Sequence, residues 1–265
     1  MYADDTVVVA GSEVELQKLV DEFERVCLKR KLSVNMSKSK VMKIGGNQGT
    51  NDLNVSLNNR RMEEVDTYRY LGVDISSDGK MHEELCHRMK EARKNAGMLK
   101  SLWKRRNVSR EAKVGMFEGI VEPSLLYGSE TWVTNKSERK KIEAVEMDCL
   151  RSICGVRRLD MVTNAEVRRR SGKEVSVGAK MDQSVLRWFG HVERMDEERL
   201  VRRVYESNVE GTRRRGRPRK GWLDGVLNVL NESRLDIQRA RECVHDRSGW
   251  RSIWRGRRAA EGAPP

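Results

Sequence analysis

No run of apolar residues in this chain approaches the length that crosses a bilayer, and no charged-then-apolar signal peptide opens it. A membrane-spanning or secreted protein is therefore not expected; the chain reads as soluble and intracellular, nuclear or cytoplasmic. Paired cysteines are lacking too. Cys27, Cys86, Cys149, Cys154 and Cys243 are odd in number and scattered, which argues against a disulfide framework and for reduced thiols. Cys149 and Cys154 have no tight second pair and Cys243-Val244-His245 stands by itself, so the spacing of a zinc module is missing. Gly45-Gly46-Asn47-Gln48-Gly49 has neither Gly-x-Gly-x-x-Gly nor Gly-Lys-Thr spacing, and reads as a connector instead of a phosphate cradle. Apolar residues make up 37% of the chain and charged ones 35%, a modest core for 265 residues.

What the chain has in excess is positive charge. Fifty-three Lys+Arg against 40 Asp+Glu give a net +13 and a pI near 9.7, which calls for a polyanionic partner. Charge alone would also fit a ribosome-like or membrane-surface role. The excess is uneven: residues 85–113 hold ten basic and two acidic residues, and residues 161–265 hold 24 basic against 15 acidic, +9 of the total.

Along the chain, Asp4-Asp5 form a carboxylate turn feeding the β-branched run Thr6-Val7-Val8-Val9-Ala10, expected to be a strand. Two adjacent carboxylates at a sheet edge suit a hard divalent cation; a solvated turn pair is the plainer alternative. Ser12 and Glu15 predict a capped helix to about Lys31, with Leu16, Leu19, Val20, Phe23, Val26 and Cys27 on its buried face, packed behind the carboxylate hairpin. Leu32 to Asn35 and Val41 to Ile44 read as short strands around a polar turn, and Leu53 to Leu57 and Tyr68 to Ile75 as further strands. Tyr70-Leu71-Gly72 falls in the last strand, where glycine would allow close backbone approach.

From Met81 the period becomes helical, with Met81, Leu85, Met89, Ala92, Ala96, Leu99 and Trp103 on one face and Lys90, Arg93, Lys94, Lys100 and Lys104 on the other. That basic face is either a phosphate-contacting surface or a solvated one. Ser109 predicts a helix to Val121 interrupted at Pro123, Ser137 a helix to about Ile153, and Asn164 a helix ending at Gly172. A helix over 181–195 would carry a stripe of Val185, Trp188, Phe189 and Val192; Gly221-Trp222 reads as the start of another helix, and residues 255–265 read as disordered. Trp103, Trp132 and Tyr127 are expected in the core. Arg213, Arg214, Arg215, Arg217, Arg219 and Lys220 flank Gly216 and Pro218 in a tract that resembles an AT-hook, and that a flexible basic linker explains equally well.

Tyr2-Ala3-Asp4-Asp5 before an apolar run resembles the metal-binding motif of reverse transcriptases, in the spelling of non-LTR (LINE-type) retrotransposons. Asn35-Met36-Ser37-Lys38 resembles that family's Asn-x-x-Lys motif, and Tyr70-Leu71-Gly72 its primer-grip hairpin. Leu186-Arg187-Trp188-Phe189-Gly190-His191-Val192 and Arg215-Gly216-Arg217-Pro218-Arg219 are similar to segments of its C-terminal regions. The resemblance implies an α+β chain: a partial palm over 1–78 with short antiparallel strands and a helix, a helical thumb over 79–160, and a basic, mainly helical region over 161–265. It implies Asp4 and Asp5 as catalytic Mg²⁺ ligands in the intact enzyme, Lys38 near the incoming nucleotide, Tyr70, Leu71 and Gly72 at the primer, and a template-primer of RNA and DNA as partner. The family's fingers and first catalytic Asp lie upstream of the Asp-Asp turn, so the chain is expected to be inactive alone and to hold no Mg²⁺ stably. The competing expectation is a non-catalytic basic protein that binds nucleic acid through the 90–104 face and the 213–220 tract.

Overall fold

Alternating helical and strand-forming stretches sort into two units in the computed structural model, which describes residues 4–45, 53–207 and 220–256. The units are Met1–Glu84 and Leu85–Pro265. The class is α+β: among the described residues helix predominates, and six short strands pair as three two-stranded sheets.

The first unit is built on α1 (Glu13–Lys29), whose N-cap Ser12 accepts from the Glu15 amide while the Glu15 carboxylate reaches back to the Gly11 amide. Val20 buries against Val41, Val55 and Leu57, with Leu16, Val34, Met36, Leu53 and Met62 around them. Leu19 and Val26, expected on the buried face, are exposed. β1 (Lys40–Val41) pairs parallel with β4 (Glu63–Glu64), β2 (Ser56–Leu57) antiparallel with β3 (Arg60–Arg61), and β5 (Thr67–Tyr70) antiparallel with β6 (Val73–Ser76). The parallel pair departs from the antiparallel expectation. Asn58 and Asn59, both at positive φ, make the two-residue β2–β3 turn that an Asn-Asn pair permits.

Two expected strands are absent and a third is cut short. Residues 6–10 form none, and Val7 and Val9 are exposed: β-branched residues favour extended backbone, but a strand exists only once a neighbour completes its ladder. Residues 32–35 run into a turn, and of 41–44 only Val41 is paired.

The second unit begins within α2 (His82–Trp103), which buries Leu85, Met89, Ala92, Leu99 and Trp103 as its period requires. α3 (Arg110–Met116), capped by Ser109, continues through a π-helical turn over Phe117–Val121 into α4 (Glu122–Leu126). Pro123 does not interrupt the run. The widened turn before it makes Pro123 an early residue of α4, where its missing N–H is tolerated. α5 (Lys136–Cys154) is capped by Asn135, not Ser137, because Asn135 and Glu138 exchange reciprocal bonds. α6 (Asn164–Ser171) is capped by Thr163, not Asn164, and ends at Gly172 in the left-handed region.

α7 (Val177–Glu193) begins at the Ser176 cap and buries Val185, Leu186, Phe189 and Val192; Leu186 takes the place expected for Trp188, which is half-buried. α8 (Leu200–Glu206), α9 (Trp222–Glu232), α10 (Ile237–Cys243) and α11 (Arg247–Arg255) complete the unit. Arg255, expected in a disordered tail, is the last residue of a helix. Val226, Val229 and Leu230 of α9, Ala240, Val244 and Trp250 close the core on α7. Trp103 and Trp132 are buried, whereas Tyr127 is half exposed with the Arg88 guanidinium 5.1 Å from its ring centroid. Among the described residues no helix is long and apolar enough to cross a membrane.

Candidate functional site

Asp4 lies in a turn and Asp5 makes a single bridge, and both side chains are exposed. Two neighbouring carboxylates open to solvent offer oxygen ligands, the donor type a hard divalent cation prefers. Tyr2 and Ala3 of the same tetrad lie outside the described residues. Among the described residues no group of three His, Cys, Asp or Glu side chains is placed to hold a metal ion.

Asn35 builds the next feature. Its side-chain oxygen accepts from the Ser37 amide (3.0 Å), the Ser37 hydroxyl (2.7 Å) and the Lys38 amide (3.3 Å), while its carbonyl accepts from the Lys38 and Ser39 amides. That is an Asx turn of the kind short amide side chains favour. The Tyr68 hydroxyl donates to the Lys38 carbonyl (3.0 Å), tying the turn to β5. Lys38 is thus fixed by its backbone and exposed at its ammonium, for which no ion pair is found among the described residues. Lys40 is paired with Glu63. No hydrogen bond or ion pair joins Lys38 to Asp4 or Asp5 among the described residues. Tyr68 was missed in the sequence, although it shares a strand face with Tyr70 two residues on.

Tyr70 ends β5, and Leu71 and Gly72 are the two-residue turn to β6, at φ 48° and 80°. The expectation of one strand running from 68 to 75 through 70–72 is corrected: Leu71 and Gly72 turn the chain at positive φ, which glycine adopts freely. Arg69 and Asp74 face each other across the hairpin through two bonds of 2.7 and 3.0 Å. The Asp74 amide donates to the Glu84 carboxylate (2.8 Å), which is fully buried.

On α2, Lys90, Arg93, Lys94, Lys100 and Lys104 are all exposed, the last just beyond the helix end. Lys94 lies 3.6 Å from Glu91. For Lys90, Arg93, Lys100 and Lys104 no ion pair is found among the described residues. At 1.5 Å per residue the stripe runs roughly 20 Å. Exposed cations in such a row can pair with phosphates, contacts that carry no base information.

Of the C-terminal tract, Lys220 is exposed, while Arg213, Arg214, Arg215, Arg217 and Arg219 lie outside the described residues. The segment from Leu186 to Val192 divides between core and surface. Leu186 and Phe189 are buried, Gly190 lies under Trp250, and Arg187 and His191 are exposed, His191 with its ring 5.3 Å from Trp188. Burial pushes the Cys149 thiol up to about 12, which leaves it unreactive.

Residues 1–75 match the reverse transcriptase (RNA-dependent DNA polymerase) family. A transposon-derived protein of Caenorhabditis elegans is 24% identical over 269 aligned residues, covering 96% of this chain and 94% of that protein. The RNA-directed DNA polymerase from the mobile element jockey of Drosophila melanogaster is 26% identical over 162 residues; the match covers 58% of this chain and 18% of that polymerase. No solved structure matches the chain.

Proposed function

We infer that the chain, part of a reverse transcriptase of the non-LTR retrotransposon kind, grips nucleic acid and does not carry out polymerisation by itself. The intact enzyme's reaction would be RNA-directed DNA synthesis, in which a divalent ion neutralises charge on the reacting oxygens. Asp4 and Asp5 are the residues that would hold such an ion, since Mg²⁺ is commonly bound by one or two carboxylates together with substrate phosphates. Lys38, held by its backbone with its ammonium unspent, would meet the phosphates of an incoming nucleotide. Tyr70, Leu71 and Gly72 would stand at the primer terminus.

One observation carries the nucleic-acid reading: the stripe from Lys90 to Lys104 is exposed, and, Lys94 apart, its cations have no carboxylate partner among the described residues. Charge that is not spent inside the protein is available to phosphates.

A two-metal site takes more ligands than two carboxylates supply. The 265-residue chain is therefore expected to give no primer extension on an RNA template with Mg²⁺ and dNTPs. Extension that disappears in Asp4→Asn would contradict this.

A further inference from the structure

Lys180, Gln183, Ser184 and Arg187 of α7 line an open recess of about 200 Å³ together with Leu126 and Trp254. Sites that enclose a whole small molecule usually span ~300–1,000 Å³, so this one suits a single planar ring of a longer ligand. Trp254 supplies the wall such a ring would stack on. It is half-buried, anchored in the core cluster around Phe189 and Trp250, and the Arg255 guanidinium stands 5.4 Å from its ring centroid.

Apart from Lys180, the polar lining is unspent. Among the described residues Gln183, Ser184 and Arg187 make no side-chain hydrogen bond or ion pair, while Lys180 is held by Glu118 and Glu122 and so fixes one cation in place. An apolar occupant would leave those donors unmet, and an anionic one would find Arg187 open.

We propose that this recess binds one unpaired base of a single-stranded nucleic acid: the base stacks on Trp254, the Gln183 amide and Ser184 hydroxyl meet its edge, and Arg187 meets a neighbouring phosphodiester. A stacking face and an amide that both donates and accepts tolerate any base, whereas a base inside a duplex has both faces covered. The proposal rests on the nucleic-acid reading above and assigns it a second surface, distinct from the α2 stripe.

Fluorescence anisotropy of the 265-residue chain tests it, with labelled single-stranded RNA, single-stranded DNA and duplex. Trp254→Ala is expected to weaken single-strand binding roughly 5- to 100-fold, the range of one lost base–aromatic stack, and to leave duplex binding unchanged. Trp254→Phe should keep most of the affinity, and Arg187→Gln should flatten the single-strand salt slope by about 0.7. A free nucleoside monophosphate should not compete; if it does, the site takes free nucleotides and the strand assignment is overturned.

Wild-type single-strand affinity in a folded Gln183→Ala, Arg187→Gln double variant also overturns the proposal, and that variant decides alone if Trp254→Ala does not fold. Should those variants be silent while Ala at Lys90, Arg93, Lys94 and Lys100 weakens binding, only the recess falls. No binding by the wild type at all sinks both readings.

Discussion

Gly190 shows what a single missing side chain does. A Cβ there would lie 2.2 Å from Nε1 and 2.6 Å from Cδ1 of Trp250, whose indole donates to the Leu186 carbonyl at 3.1 Å. Gly190→Ala is expected to cost about 2–4 kcal/mol, from overpacking and the loss of a buried hydrogen bond. Gly225→Ala on α9, where nothing lies within 4 Å, should be neutral or stabilising by up to about 1 kcal/mol. Denaturant unfolding followed by tryptophan fluorescence compares the two. The sequence marks 186–192 as a unit but cannot show Trp250, sixty residues on, lying over its glycine. Lys38 is the opposite case, because an Asn three residues before it already spells the turn that presents it.

At the scale of elements, α1 serves as a neighbour to a strand. Gln17 accepts from the Ser56 amide (2.7 Å) and donates to the Ser56 carbonyl (2.9 Å), while Glu13 and Glu24 accept from the Asn54 and Asn58 amides. Side chains of a helix here satisfy a strand edge that would otherwise be open. Gln17→Ala should speed hydrogen exchange of the Ser56 amide about tenfold, the effect of losing roughly 1.4 kcal/mol of local protection; unchanged exchange would contradict the clamp.

Glu193 joins three helices, taking bonds from Arg202 (2.7 Å) and Tyr205 (2.6 Å) of α8 and Arg241 (3.0 Å) of α10. Burial alone would raise its carboxyl, but those bonds outweigh it and hold it below the usual range. A carboxyl depressed by folding adds stability above its unfolded value, ~4.3, and loses it as pH falls through the folded one. Glu193→Gln should therefore cost about 1–2 kcal/mol at pH 7, with the gap to wild type closing below pH ~4. A gap that stays constant to pH 3 in denaturant unfolding would rule out the linkage.

Helix positions were legible from period and cap residues, yet the choice between neighbouring candidates was not: Asn135 and Thr163 won over Ser137 and Asn164 because the cap is the residue whose partner stands three further on. The strand expected at 6–10 could not be tested in sequence, since pairing is decided by residues distant along the chain.

At the scale of the molecule, the charge excess was visible in composition, and its placement on one face of α2 in periodicity. The recess at Trp254 was not, because residues 126, 180–187 and 254 meet only through tertiary packing. The central claim is that the α2 stripe holds the phosphates of nucleic acid. Its most direct test is anisotropy of the chain on duplexes of different sequence across a salt series, wild type against Ala at Lys90, Arg93, Lys94 and Lys100. Four contacts at about 0.9 each predict a log–log salt slope shallower by about 3–4 and weaker binding to every sequence alike. No binding at low salt, or a variant with the wild-type slope, would contradict the account.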